Sequence, residues 1–247
     1  SDVCSSDLLL VAAAATAGDR ERTSALAASA AREVAVADSL ASAGDDARLI
    51  GRVRGWLAAH DDAPDLTWPL RQRLGLALHR SGRDDEALAE LERTALWAPD
   101  RPENHRNLAL VLLALGRRGR AFGEYREALD LAPDNDAIRA EYLHVLLDFD
   151  QIGQAAAVLA RRQAGHGPSP ALDRAEARLH LLRNDPAAAR PALERLHAAD
   201  PQDAEVAEQL ALARLRGGDP DGARLLLAVR WPRDLGDTGR RVLLEAD

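Results

Sequence analysis

The sequence contains no methionine, no lysine, one cysteine and few aromatic residues. Aromatics make up 3% of the 247 residues against 47% hydrophobic residues overall, so any core must be built from aliphatic side chains. A single cysteine excludes an intramolecular disulfide and a thiolate metal cluster. There is no run of 18 or more apolar residues, which excludes a complete membrane span in this stretch of chain. β-branched residues are sparse and no stretch alternates with period two, so no strand is expected. All cationic side chains are arginine, a usage that points to a GC-rich bacterial genome. They are outnumbered, 32 basic to 40 acidic residues for a net charge of −8, and form no basic stripe. General nucleic-acid binding, which needs such a stripe to displace counterions from phosphate, is therefore not expected.

What is present is alanine, leucine, arginine and glutamate, a composition that favours helix. The octapeptide at 1–8, SDVCSSDL, resembles translated sequencing-adapter sequence and is set aside from the fold; without it the chain has no cysteine. Beyond it the informative feature is self-similarity. A 34-residue ruler laid from Trp68 starts new copies at Pro102, Asp136, Pro170 and Ala204. Its twentieth position reads Ala87, Ala121, Ala155, Ala189 and Ala223. Its eighth reads Gly75, Ala109, Leu143, Ala177 and Ala211, and its twenty-fourth Leu91, Tyr125, Leu159, Leu193 and Leu227. The fifteenth reads Gly82, Gly116, Asp150, Asn184 and Gly218, residues that tolerate the left-handed backbone that ends a helix. Position thirty-two is Pro99, Pro133, Gly167, Pro201 and Leu235, three prolines that stop the second helix. Asp185-Pro186 and Asp219-Pro220 read as a capping residue followed by proline in the first helical position.

Each column has a mechanical reason. Two antiparallel helices approach closely only where their crossing residues are small, which positions eight and twenty supply. The large residue at twenty-four then fills the space toward the next copy. These columns resemble the tetratricopeptide repeat family, most clearly at 102–135, where Leu108, Ala109, Leu112, Gly116, Ala121, Tyr125, Ala128 and Pro133 fall in phase. The resemblance implies an all-α, right-handed α-α superhelix of stacked antiparallel helix pairs. Departures are expected in the third copy, which lacks its terminal proline and runs into a looser segment at 164–168. They are also expected in the fourth, where Pro191 should bend its second helix or cost about 3 kcal/mol. The expected organisation is a tail at 1–8 and degenerate helical hairpins over 9–65. Five repeats follow (68–101, 102–135, 136–169, 170–203 and 204–235), then a capping or truncated helix at 236–247. Over 9–65 the helices are expected at 8–17, 20–43 and 46–60, with breaks at Gly18 and Gly44. A second reading of Leu8 to Ala17 is the end of a signal peptide, with Ala15-Thr16-Ala17 as its small-residue site. The compartment stays open on that point, cytoplasmic by default and exported if the segment is a leader or anchor remnant.

Catalytic patterns are missing: there is no glycine-rich phosphate loop, G-x-S-x-G elbow or H-E-x-x-H. None of the seven histidines pairs with another at metal-ligand spacing on one helix. His60-Asp61-Asp62 has metal-type side chains but sits in a Pro- and Asp-rich connection where solvation explains it. The expectation is therefore no enzyme, no cofactor and no metal. The family resemblance implies binding along the first-helix face, at repeat positions two, five, nine, twelve and thirteen. Here that face reads Gln72, Leu76 and His79; Arg106, Leu110 and Leu113; His144 and Leu147; Arg174, Arg178 and Leu181; and Glu208 and Leu212. Mainly leucine with polar points, it suits an amphipathic helix or extended peptide. Arg174 and Arg178, at i and i+4, share one helix face and could clamp a carboxylate or pair with Glu208 of the next repeat. The lysine and asparagine set with which some relatives hold a C-terminal carboxylate is absent. The expected function is a protein-interaction scaffold or adaptor. The alternatives are the non-catalytic helical part of a larger enzyme, or an exported or membrane-associated assembly factor.

Overall fold

A computed structural model describes residues 17–60, 63–162, 169–228 and 237–245. Among them are thirteen helices and no strand. The chain forms two compact units, one reaching Ala132 and the other starting at Pro133. The first holds α1 (Ala17–Ser42), α2 (Asp46–Ala58), α3 (Pro64–Arg80), α4 (Asp84–Trp97), α5 (Pro102–Ala114) and α6 (Arg118–Leu131). The second holds α7 (Asp136–Asp148), α8 (Ile152–Ala160), α9 (Pro170–Leu182), α10 (Pro186–Ala199), α11 (Ala204–Arg216), α12 (Pro220–Ala228) and α13 (Asp237–Glu245).

The 34-residue ruler is realised as helix pairs. The second helices begin at Asp84, Arg118, Ile152, Pro186 and Pro220, at the same interval throughout. The first helices from Pro102 onward keep that interval, but α3 begins at Pro64, four residues ahead of the ruler, because a proline in the first turn opens it there. All five residues of the fifteenth column have positive φ: 71° at Gly82 and Gly116, 56° at Asp150 and Asn184, and 82° at Gly218. Each turn is then closed by the next residue's amide, as when Arg83 N donates to Leu78 O at 2.9 Å and Arg117 N to Leu112 O at 2.8 Å. Asp185 and Asp219 cap as their sequence implies, accepting from Ala188 N at 3.1 Å and Gly222 N at 2.9 Å.

Within unit 1, α1 pairs with α2, α3 with α4 and α5 with α6, and α3 also packs on α1 and α5. In unit 2, α7 pairs with α8, α9 with α10 and α11 with α12, while α13 packs on α11 and α12. The crossing residues Ala87, Ala109, Ala121, Ala155, Ala177, Ala189, Ala211 and Ala223 are all fully buried. At the first crossing a methyl group added to Gly75 would lie 2.6 Å from Leu91 Cγ, so only glycine permits that approach. Leu91, Tyr125, Leu193 and Leu227 of the twenty-fourth column are also fully buried. Leu159 is only half-buried, on the short helix α8 of the irregular third copy.

The helix expected over 20–43 is α1, which runs from Ala17 to Ser42 and carries Gly18 in its first turn. Pro191 lies inside α10, which continues through it to Ala199. Pro191 is exposed to solvent. The expected helix at 8–17 and the signal-like Leu8 to Ala17 lie outside the described residues except for Ala17, and the looser 164–168 lies wholly outside them. No described helix is long and apolar enough to cross a membrane.

Replacing Ala121, fully buried where α6 crosses α5, with leucine should destabilise the protein by roughly 1–3 kcal/mol through overpacking. Denaturant unfolding checks this; an unchanged midpoint would place Ala121 away from the crossing.

Candidate protein-binding face

In unit 1 the candidate residues lie on α3 and α5. Gln72 Nε2 donates to Asn104 Oδ1 at 2.8 Å, and Asn104, fully buried, donates to Ala98 O at 2.9 Å. Gln72 therefore ties the first helix of one pair to the first helix of the next, and Asn104 satisfies a carbonyl at the end of α4. His79 Nδ1 lies 2.6 Å from Asp84 Oδ1, joining the end of α3 to the start of α4. Arg106 Nη1 donates to Asn107 Oδ1 at 3.4 Å. Leu76, Leu110 and Leu113 are half-buried.

In unit 2 the arginines meet aspartates. Arg174 Nη2 donates to Asp203 Oδ2 at 2.9 Å and Arg178 Nη1 to Asp148 Oδ1 at 2.7 Å. Glu208, the partner considered from sequence, lies beyond both in the chain, half-buried on α11. Asp148 and Asp203 escape a position-by-position reading because one ends α7 and the other caps α11. Asp203 accepts from Val206 N as well as from Arg174. The Arg174 hydrogen bond, then that amide, holds its carboxyl below the usual carboxylate range against the opposing effect of burial. Burial, and then the charge of Arg178, lowers the proton affinity of His144, with Asp148 opposing and Arg174 adding to the effect. His144 is thus neutral at neutral pH. Leu147 is 2% exposed and belongs to the core, whereas Leu181 and Leu212 are half-buried against the clusters around Leu193 and Leu227.

Position four of the ruler is a set of polar residues that the sequence reading passed over. Arg71, His105, Arg139 and Asp173 are all buried, at 3%, 9%, 3% and 3% exposure. Each has a charged partner: Arg71 with Glu90 at 2.6 Å, His105 with Glu124 at 2.8 Å, Arg139 with Asp136 at 2.9 Å and Asp173 with Arg195 at 2.5 Å. The Arg71 guanidinium also sits 5.0 Å from the centre of the Trp97 ring, and Arg101 sits 5.8 Å from that of Trp68, so both tryptophans are used in packing. The signal was available, as four polar residues in one phase of a helix otherwise facing a core.

His60, just beyond the end of α2, packs on Trp56. Its ring stacks on Trp56 at 4.1 Å, and Nδ1 lies 2.8 Å from Trp56 O. Asp61 and Asp62 lie outside the described residues. No group of three metal-type side chains occurs among the described residues.

The depressed Asp203 carboxyl predicts an acid-sensitive contribution to stability. A lowered folded-state pKa stabilises above the unfolded value, about 3.9, and is lost as pH falls through the folded one. Asp203→Asn keeps a capping side chain and removes the charge facing Arg174. It should cost up to about 1 kcal/mol at neutral pH, given a partly exposed pair, and the difference from wild type should vanish in acid. Unfolding curves of both proteins across the acid range check this.

Residues 180–240, from the end of α9 into α13, match a family model described as tetratricopeptide repeat. No curated protein sequence matches the chain. Among solved structures, the C-terminal part of a TPR repeat-containing protein from Cytophaga hutchinsonii is similar at a TM-score of 0.67 and 16% identity, over 86% of this chain and 84% of that one. A tetratricopeptide repeat protein from Parabacteroides merdae is similar at 0.63 and 16%, over 81% and 78%. YrrB, a TPR protein with an unusual peptide-binding site, is similar at 0.56 and 12%, over 78% and 95%. One segment thus matches the tetratricopeptide repeat model directly, and the chain shares the fold of these tetratricopeptide repeat structures.

Proposed function

We propose that this protein is a non-catalytic interaction scaffold whose first-helix faces hold an amphipathic helix or extended segment of a protein partner. The observation that carries the reading is the half-exposure of leucines on successive first helices: Leu76, Leu110 and Leu113 in unit 1, Leu181 and Leu212 in unit 2. A half-exposed leucine on a helix otherwise fixed by its neighbours gives a preformed apolar contact. The polar groups beside it are already oriented, Gln72 by Asn104, Arg174 by Asp203 and Arg178 by Asp148. Binding then loses little conformational freedom, the main penalty of association for a flexible surface. Leucine contacts supply burial of about 25 cal/mol per Å², and the polar groups set the orientation of the bound segment. The peptide-binding site of YrrB supports the same use of this fold. In that reading Arg174 and Arg178 contribute through their outward N–H groups while keeping their aspartates, and neutral His144 offers a hydrogen bond.

The test is capture of a partner from lysate of the source organism with wild-type protein and with Leu110→Asp/Leu113→Asp as baits. Leu96→Asp serves as a control, because Leu96 is 75% exposed on a second helix. The proposal expects a partner bound by wild type and by the Leu96 variant at similar strength, and weakened at least about tenfold by the double variant, a loss of about 1.4 kcal/mol or more. A partner kept by the double variant and lost by the Leu96 variant would move the site to the second-helix face and overturn the reading.

A further inference from the structure

The last described helix of unit 2 leaves one face uncovered. α13 packs on α11 and α12. It buries Val242, 1% exposed, in a cluster with Ala211, Ala223 and Leu227, and Gly239 is buried on the same side. Arg240, Arg241, Leu244 and Glu245 point the other way and are exposed. They make one face, because positions i, i+1, i+4 and i+5 fall within about 140° of a 3.6-residue helix. Leu244 is 78% exposed, the most of any large apolar side chain among the described residues. On α12, Leu225 is 66% exposed, where the four earlier copies have Ala89, Gly123, Ala157 and Pro191 at the same ruler position. The charges on the α13 face are not ordered to suit the helix itself. Arg240 and Arg241 precede Glu245, whereas the macrodipole favours acids early and bases late. Arg241 Nε lies 2.9 Å from Glu245 Oε1, in the less favourable order for an i, i+4 pair, and both side chains are half exposed or more, so the pair holds Glu245 weakly.

We propose that α13 is a self-association helix, whose exposed face seats the same face of a second copy of this chain in antiparallel orientation. A twofold contact uses one patch on both copies, so the patch has to complement itself. This one does. With the axis passing between residues 242 and 243, Glu245 lies opposite the partner's Arg240, and Leu244 lies along the hydrocarbon stem of the partner's Arg241. Each contact occurs twice. A parallel copy would set arginine beside arginine and Glu245 beside its own equivalent, so the charge order selects the antiparallel arrangement. Nine residues span about 14 Å. α13 alone therefore falls short of the roughly 1,000 Å² that a stable specific interface buries, and the dimer forms and dissociates with concentration. This contact stands apart from the partner binding proposed above, since Leu110 and Leu113 belong to the other unit.

The experiment is sedimentation velocity of the full chain across the micromolar range. Wild type should pass from monomer to dimer as concentration rises. Leu244→Asp should weaken the dimer by at least about tenfold, because the twofold counts each change twice. It should leave the thermal midpoint of dilute protein unchanged, since a side chain 78% exposed contributes little to the fold. Arg240→Glu should also weaken the dimer, by setting a like charge against the partner's Glu245. Adding Glu245→Arg to that variant reverses both signs and should restore association, a rescue that only a second copy can supply. Wild type that stays monomeric throughout would overturn the proposal and leave the face to a different protein. A dimer as tight in Leu244→Asp as in wild type would place the contact elsewhere and overturn it too, and a double variant no better than Arg240→Glu would contradict the antiparallel pairing.

Discussion

Close approach at the helix crossing is the constraint on which the remaining structure depends. Where α3 meets α4 there is no room for a methyl group on Gly75, and the crossing alanines of the other pairs are fully buried. That proximity lets a helix of nine to seventeen residues bury one face against its partner and still offer the twenty-fourth residue to the following pair. Every other feature is a way of bringing the chain back to the same crossing. The left-handed residue reverses direction after each first helix, and the aspartate caps at 185 and 219 start the next helix at the required residue.

A second layer of order is polar. Aliphatic packing at 3% aromatic content holds helices together without distinguishing one rotation from another as sharply as interlocking rings would. Buried donors and acceptors at position four supply that distinction, because leaving any of them unpaired costs about 1–3 kcal/mol. Asn104 acts in the same way one residue earlier, satisfying the end of α4 while orienting Gln72 toward the face proposed to bind. On α5, Asn104 and His105 are buried, while Leu110 and Leu113, on the face proposed to bind, are only half-buried.

The periodic part of this architecture was legible because it rests on residue type at fixed spacing. Small crossing residues and turn residues repeat every 34 positions, and the fold uses each where it falls. Side-chain partnership was much less legible. Arg174 and Arg178 share a face, but which acid each reaches depends on helix ends and caps, so Asp203 and Asp148 were missed. Leu147 reads as a groove position by number and is core in the structure, a difference in side-chain direction that a ruler does not resolve. The position-four residues were hidden for the opposite reason: arginine, histidine and aspartate count as solvent-facing until a partner across the pair is known.

The measurement that tests the central claim most directly is a double-mutant cycle between Gly75 and Leu91, read by denaturant unfolding. In the wild-type background Gly75→Ala should destabilise, because the added methyl group would lie 2.6 Å from Leu91 Cγ. In a Leu91→Ala background that obstruction is gone, and the same change should become stabilising by roughly 0.5–1 kcal/mol from helix propensity alone. A Gly75→Ala effect of the same sign and size in both backgrounds would contradict the close crossing.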